Sequence, residues 1–169
     1  MVLDPKMVYF PDADDPALLC FCQAFARMMF AHAKLEARIR ELQGVVSGDP
    51  GFGEQRKNLW SADHRAECMT KLIREHLGQV PETKEIADCL IKSRELSWER
   101  NLLAHGEWWA FNPAKKFVAV RSGTDWPNQD QHQERTVADV DRTTSALQDV
   151  EAELWALQSR IESRLPENE

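Results

Sequence analysis

The sequence predicts an all-α fold, an up-down bundle of four main helices with a short β-hairpin inserted before the last helix. Three observations support this prediction. Apolar residues recur at alternating spacings of three and four in four separate segments, which short connections mostly join. One stretch before the last segment changes to the pattern of a hairpin. The length of 169 residues suits a single domain, 1–169, with a core of its own.

The first helix is predicted over residues about 16–43. Asp14 and Asp15 offer a capping side chain, and Pro16 fits the first turn of a helix. Gly44 is the expected end of the helix, because glycine is favoured at the position that follows a helix. The apolar side of this helix is predicted to be buried; its members are Leu18, Phe21, Phe25, Met28, His32, Leu35, Ile39 and Leu42.

The stretch GVVSGDPGFGEQRKN that follows is predicted to be a mobile loop, because its glycines and prolines fit no regular element. It lacks the Gly-Lys-Ser/Thr ending of a phosphate-binding loop, so no nucleotide role is assigned to it. The second helix is predicted over residues about 61–78, with Ser61 as its cap and Gly78 at its end.

The third helix is predicted over residues about 82–105, opened by Pro81 and followed by Gly106 at the position that favours glycine. The hairpin is predicted over residues about 107–121, and a polar stretch follows it. The last helix is predicted over residues about 138–165. Its apolar seam is regular and packs either inside the monomer or against a second copy; the seam consists of Val140, Leu147, Val150, Leu154, Leu157 and Ile161.

Composition excludes several classes of function. The net charge of −7 argues against broad, non-specific nucleic-acid binding, although a local basic cleft is compatible with it. No apolar run approaches the roughly 20 residues of a membrane span, and the start lacks the pattern of a secretory signal. We therefore expect a cytoplasmic protein with no membrane partner. The cysteines lack metal-site spacing, and we expect reduced core thiols at Cys20, Cys22, Cys68 and Cys89.

The third helix carries an arginine within an apolar stripe. Arg100 shares that stripe with the small residues Ser93 and Ser97. A guanidinium does not lose its charge on burial, so it requires a carboxylate, backbone carbonyls or an anionic ligand. Two interpretations remain open: Arg100 holds an anion in a cleft beside these small residues, or it pairs with a core acid. In the second, His105 is only a favourable charge at the helix C-terminus.

Arg100-Asn101-Leu102-Leu103-Ala104-His105 resembles the Arg-polar-x-x-x-His motif of the HEPN superfamily, a group of helical-bundle proteins found widely in prokaryotic defence and stress systems. The resemblance covers about seven residues, including the glycine after the histidine. It implies a metal-independent endoribonuclease that works as a homodimer, with two motifs facing each other across the interface. It also implies that Arg100, Asn101 and His105 are the catalytic residues.

In this interpretation His105 exchanges protons with the ribose 2′-oxygen and the leaving 5′-oxygen, and Arg100 stabilises the phosphate. Asn101 orients the histidine or contacts the phosphate. We expect substrate contacts from Ser97, Glu107 and Trp108, and neither a metal nor another cofactor. One toxin branch of the family has a tyrosine where this chain has Glu107, so regulation by nucleotide attachment there is not expected.

The alternative function is a non-catalytic HEPN-like module that binds RNA, a nucleotide, or a partner protein such as an antitoxin. A purely structural helical dimer is the third interpretation. A second Arg-x4-His pair, Arg27 with His32, lacks the polar residue after arginine and lies within the first helix. We interpret that pair as a coincidence and His32 as a hydrogen-bonded core histidine.

Overall fold

A computed structural model of the chain describes residues 8–9, 12, 14–49, 51–52, 61–105, 107–111, 116–121 and 131–165. The helices are α1 (Pro16–Ser47), α2 (Arg65–Leu77), α3 (Glu82–His105) and α4 (Val137–Glu162). The strands are β1 (Val8–Tyr9), β2 (Glu107–Phe111), β3 (Lys116–Arg121) and β4 (Gln131–Arg135). The predicted helical class is therefore confirmed, with four helices of 13 to 32 residues in the described part of the chain.

The helix ends differ from the prediction at three places, one of which is the end of α4 at Glu162, three residues before the predicted end. α1 does not stop at Gly44 but continues to Ser47, and the chain turns at Gly48, whose φ is +69°. Gly44 inside this long helix costs only about 1 kcal/mol of stability relative to alanine, so the helix continues through it. Glycine is favoured at Gly48 instead, because other residues rarely adopt a positive φ. α2 begins at Arg65, so Ser61 is not its cap; the Ser61 hydroxyl instead lies 2.9 Å from Nδ1 of His64.

The capping prediction at α1 is confirmed by geometry. Oδ1 of Asp15 accepts a hydrogen bond of 2.7 Å from the backbone N–H of Ala17, one of the N–H groups that a helix start leaves without an internal partner. α4 begins at Val137, one residue from its predicted start, and has a reciprocal cap that was not predicted. The Thr136 hydroxyl and the Asp139 carboxylate each accept a hydrogen bond from the other's backbone N–H, at 3.2 and 2.8 Å.

The four strands form one antiparallel sheet in the order β1-β2-β3-β4. β2 pairs with β3 from Glu107 opposite Val120 to Phe111 opposite Lys116. The two outer strands were not predicted. β1 has only two residues, and β4 has the polar sequence QHQER, which lacks the alternation that identifies a half-buried strand.

The chain divides into two compact units. The first, here the sheet unit, consists of Met1–Phe30 and Trp98–Ser145. The second, here the bundle unit, consists of Ala31–Ser97 and Ala146–Glu169. α1, α3 and α4 each contribute a segment to both units. The RNLLAH motif belongs to the sheet unit, because the segment of α3 from Trp98 onward does.

The bundle unit has an apolar core drawn from all four helices, and charged pairs join neighbouring helices around it. Arg65 of α2 donates two hydrogen bonds to the Glu36 carboxylate of α1, at 2.7 and 3.1 Å. Arg38 of α1 donates to Glu151 of α4 at 3.1 Å. Fully buried core residues of this unit are Leu35, Ile39, Leu42, Met69, Ile73, Ile86, Leu90, Leu147, Leu154 and Ile161.

The sheet unit buries a smaller apolar set from α1, α3 and α4, namely Phe21, Ala24, Met28, Leu102, Leu103 and Val140. Arg27 of α1 pairs with Asp141 of α4 at 2.9 Å.

All six members of the predicted α4 seam are buried, so the seam packs inside the monomer. No helix in the described residues is both long and apolar enough to cross a membrane.

Candidate functional site

The motif lies at the C-terminal end of α3. Arg100 and Asn101 are both partly exposed there, and His105 is the last residue of the helix. The predicted end at residue 105 therefore agrees with the structure. The side chain of His105, and the whole of Gly106, lie outside the described residues.

The helix is continuous through the motif, and this fixes the angular relation of its positions. Asn101 and His105 are four residues apart and share one side of the helix. Positions 100 and 105 are separated by roughly 140° around the helix axis and by roughly 7.5 Å along it. The backbone of one chain therefore does not bring Arg100 and His105 to a common face, and the helix does not unwind before its last residue.

The apolar stripe around Arg100 is largely as predicted, but Ser97 is not at an open cleft. Ser97 is only 7% exposed. Its hydroxyl donates to the carbonyl of Ser93 at 2.7 Å and lies 3.1 Å from Nε2 of His32. Both of these contacts are within the bundle unit, and together they hold Ser97 as a packing residue between α3 and α1.

The side of α3 opposite the Arg100 stripe is partly exposed. Leu102 is buried on this side. Trp98, however, is 51% exposed and Ile91 is 42% exposed. An exposed tryptophan next to the motif is a favourable surface for contact with another molecule.

An ion pair that was not predicted from the sequence lies next to the motif. Glu99 accepts hydrogen bonds from Nε and Nη2 of Arg135, the second at 3.0 Å. The hydrogen bond to Glu99 raises the pKa of Arg135 above its ordinary value. This pair ties the end of β4 to α3 one residue before Arg100. Its partners are 36 residues apart in sequence, and no short-range pattern relates them.

The remaining predicted substrate contacts, Glu107 and Trp108, lie on β2 immediately after the motif. In the sheet they pair with Val120 and Ala119 of β3, respectively. Their side chains are outside the described residues, so the structure gives only their backbone positions.

The second Arg-x4-His pair has a structural explanation, as predicted. His32 is 6% exposed, and its imidazole Nε2 contacts the Ser97 hydroxyl, which makes it a hydrogen-bonded core histidine. Arg27 is engaged at the surface of the sheet unit by Asp141. His64 and His76 are exposed, whereas the side chain of His132 lies outside the described residues.

The cysteine prediction is correct at one site and wrong at two. All four thiols are free. Cys89 is buried in the bundle unit and donates to the Glu153 carboxylate at 3.2 Å; burial, with help from this hydrogen bond, raises the pKa of its thiol to about 12. Cys20 and Cys22 are exposed on α1 because they flank the buried position Phe21 rather than share its side. Cys68 is partly exposed.

Among the described residues, no group of three or more histidine, cysteine or acidic side chains is arranged to hold a metal ion. In comparisons with known proteins, no family model, no curated protein and no solved structure matches the chain. Function is therefore inferred from the motif and from the geometry of the residues around it.

Proposed function

We propose that the chain is a metal-independent endoribonuclease of the HEPN type that acts as a homodimer. The observation that supports this proposal is the position of RNLLAH at the very end of a long helix in a helical protein. Arg100 and Asn101 are partly exposed there, within reach of a ligand, and His105 closes the helix.

The chemistry requires no metal. The ribose 2′-oxygen attacks the adjacent phosphorus, the bond from phosphorus to the 5′-oxygen breaks, and a 2′,3′-cyclic phosphate remains on the upstream fragment. The 2′-hydroxyl proton is taken up by an imidazole, and the 5′-oxygen receives a proton as it leaves. Histidine suits both transfers because its ordinary pKa is near neutrality. Arg100 supplies two-pronged hydrogen bonding and positive charge to the phosphate as negative charge develops on it.

The helical geometry favours a site shared between two chains. Arg100 and His105 occupy different sides of α3, so a two-fold axis is the simplest way to bring an arginine of one chain near a histidine of the other. The exposed indole of Trp98, two residues before Arg100, supports a contact beside the motif.

A non-catalytic RNA- or protein-binding module is the alternative, and the sequence around Glu107 favours it. This acid begins β2 only two residues after His105. A carboxylate near a scissile phosphate opposes the build-up of negative charge in the transition state, whereas it is compatible with recognition of a partner.

The test is incubation of the purified protein with mixed RNA in EDTA, followed by mapping of product ends. We expect cleavage with 2′,3′-cyclic phosphate ends, and loss of at least about a hundredfold in rate for both His105→Ala and Arg100→Ala. Arg74→Ala and His76→Ala are matched controls, because both residues are exposed in the last turn of α2. Cleavage unchanged in His105→Ala refutes the proposed site, and RNA that binds without being cleaved supports the alternative.

A further inference from the structure

The exposed side of α1 in the sheet unit begins without a single charged residue. The segment from Pro16 to Ala26 contains no acidic or basic side chain, although charged residues make up 29% of the chain. Burial does not explain this, because several of its side chains are exposed, including Leu19, Cys20, Cys22, Gln23 and Ala26. The outer side of a helix in a globular protein is usually charged, so an uncharged outer side indicates a surface that another molecule covers.

Phe30 extends this surface by one helical turn. It is 77% exposed, more than any other large apolar side chain in the described part of the chain, and Leu19 is 47% exposed. At 100° per residue, Leu19, Ala26 and Phe30 lie within roughly 40° of one another around the helix axis. An aromatic ring that adjoins further exposed apolar residues on one side of a helix is typical of a protein contact.

The pattern on this surface is complementary to itself. Leu19, Cys22, Gln23 and Ala26 have the spacing i, i+3, i+4 and i+7, which forms the hole that receives one side chain of a facing helix in knobs-into-holes packing. Phe30 is a knob on the same side. When two α1 helices pack antiparallel about a two-fold axis at Ala26, Phe30 of each chain lies level with the partner's Cys22. Both copies then place their knob opposite the hole of the other.

The charges beside this surface also suit a second copy. A two-fold axis at Ala26 brings the Arg27 side chains of the two chains toward each other. Arg27 already pairs with Asp141 of its own chain at 2.9 Å, so two neutral pairs meet instead of two cations. Both side chains of the pair are about half exposed, which leaves each guanidinium accessible to the other chain's carboxylate. An anionic lipid surface suits this side less well, because the net charge of the chain is −7.

We propose that this surface of α1 is a homodimer contact, in which two copies pack antiparallel and Phe30 of each fills the hole of the other. One helix from each chain takes part, so the buried area lies at the low end of specific interfaces, below about 1,200 Å² in total. We therefore expect a reversible dimer with a Kd of about 1–100 μM. The inference does not rest on the ribonuclease proposal, since a chain that cleaves no RNA would still form this contact.

Sedimentation equilibrium of the purified chain without RNA, from about 1 to 500 μM, tests the proposal. Phe30→Glu should weaken dimerisation at least about tenfold, because it places an unpaired carboxylate in an apolar contact. Trp155→Glu is the matched control: it replaces another exposed aromatic residue, on α4, with the same acid, and should change the Kd by less than about twofold. Circular dichroism verifies that both variants are folded. A chain that stays monomeric throughout, or equal effects of the two variants, would overturn the proposal.

Disulfide cross-linking tests the arrangement of the two helices. Facing Cα atoms at the axis lie about 3.5–5.5 Å apart for helices packed 8–10 Å from axis to axis, which a disulfide spans at the upper end of this range. In a Cys20→Ser/Cys22→Ser chain, Ala26→Cys should therefore form an intermolecular disulfide on mild oxidation. Ala33→Cys is the control, because position 33 is also exposed but its two copies lie roughly 20 Å apart along the helices. Cross-linking that is no more efficient at position 26 than at position 33 would show that the helices do not pair in this way.

Discussion

Ser97→Ala should destabilise the protein measurably, although it removes only one oxygen atom. The Ser97 hydroxyl donates its proton to the Ser93 carbonyl at 2.7 Å, so the lone pairs of Oγ face the His32 imidazole. The 3.1 Å contact is therefore a hydrogen bond donated by Nε2 of His32. Both side chains are more than nine-tenths buried, and Oε1 of Glu36, at 3.9 Å from Nε2 of His32, is beyond hydrogen-bond distance.

The size of the effect follows from two opposing contributions. Taking the acceptor from a buried donor costs about 1–3 kcal/mol. Alanine in place of serine within a helix returns about 0.5 kcal/mol. We expect a net loss of about 1–2 kcal/mol in the free energy of unfolding. For a chain of this size, each kcal/mol lowers the melting temperature by about 2–4 °C.

Urea unfolding followed by circular dichroism measures this loss, and Ser93→Ala is its control. Ser93 is equally buried, but its hydroxyl donates to the Leu90 carbonyl of its own helix, so its removal should change stability by less than about 0.5 kcal/mol. If Ser97→Ala is as stable as Ser93→Ala, the hydrogen bond between His32 and Ser97 contributes nothing and our assignment of the imidazole donor is wrong.

Two further predictions concern the thiols and the start of α4. Native-state alkylation at pH 8, followed by peptide mass spectrometry, should modify exposed Cys20 and Cys22 rapidly and Cys89 at least about a hundredfold more slowly, since a pKa of about 12 leaves little thiolate. Because folding raises the pKa of the Cys89 thiol, the protonated thiol favours the folded state below pH 9, the ordinary pKa of the group. This contribution to stability falls progressively as the pH rises from 9 toward 12. A Cys89→Ala chain should therefore lose less stability over that interval. Thr136→Ala should cost about 1 kcal/mol in urea unfolding by removing the cap of α4, whereas Thr143→Ala, whose hydroxyl only bonds a carbonyl within the helix, should cost less than about 0.5 kcal/mol.

The helix bodies were predictable because apolar periodicity records which side of a helix is buried. The α4 seam shows this directly, since every predicted member is buried. The ends were less predictable, because a glycine in the sequence does not reveal its backbone angle. Gly44 lies within α1 and Gly48, four residues later, adopts the positive φ.

The site was predictable in position but not in its surroundings. The sequence places the RNLLAH motif at the end of a helix because Gly106 and the hairpin pattern follow it. The sequence does not reveal that Ser97 forms a hydrogen bond with His32 or that Arg135 forms an ion pair with Glu99, because both contacts join residues distant in the chain. Such pairs depend on tertiary packing, which periodicity and spacing do not encode.

The strongest consequence of the continuous α3 helix is that complementary variants should restore activity to each other. Since positions 100 and 105 lie on different sides of one helix, a working site in the proposed ribonuclease combines Arg100 of one chain with His105 of the other. A dimer of an Arg100→Ala chain and a His105→Ala chain then retains one intact arginine–histidine pair out of two. Unfolding and refolding an equal mixture should form heterodimers in half of the population and restore about a quarter of the wild-type rate, whereas each variant refolded alone stays inactive. If the refolded mixture is inactive although mass spectrometry shows heterodimers, each site takes both residues from one chain, and the helical end must rearrange to bring them together.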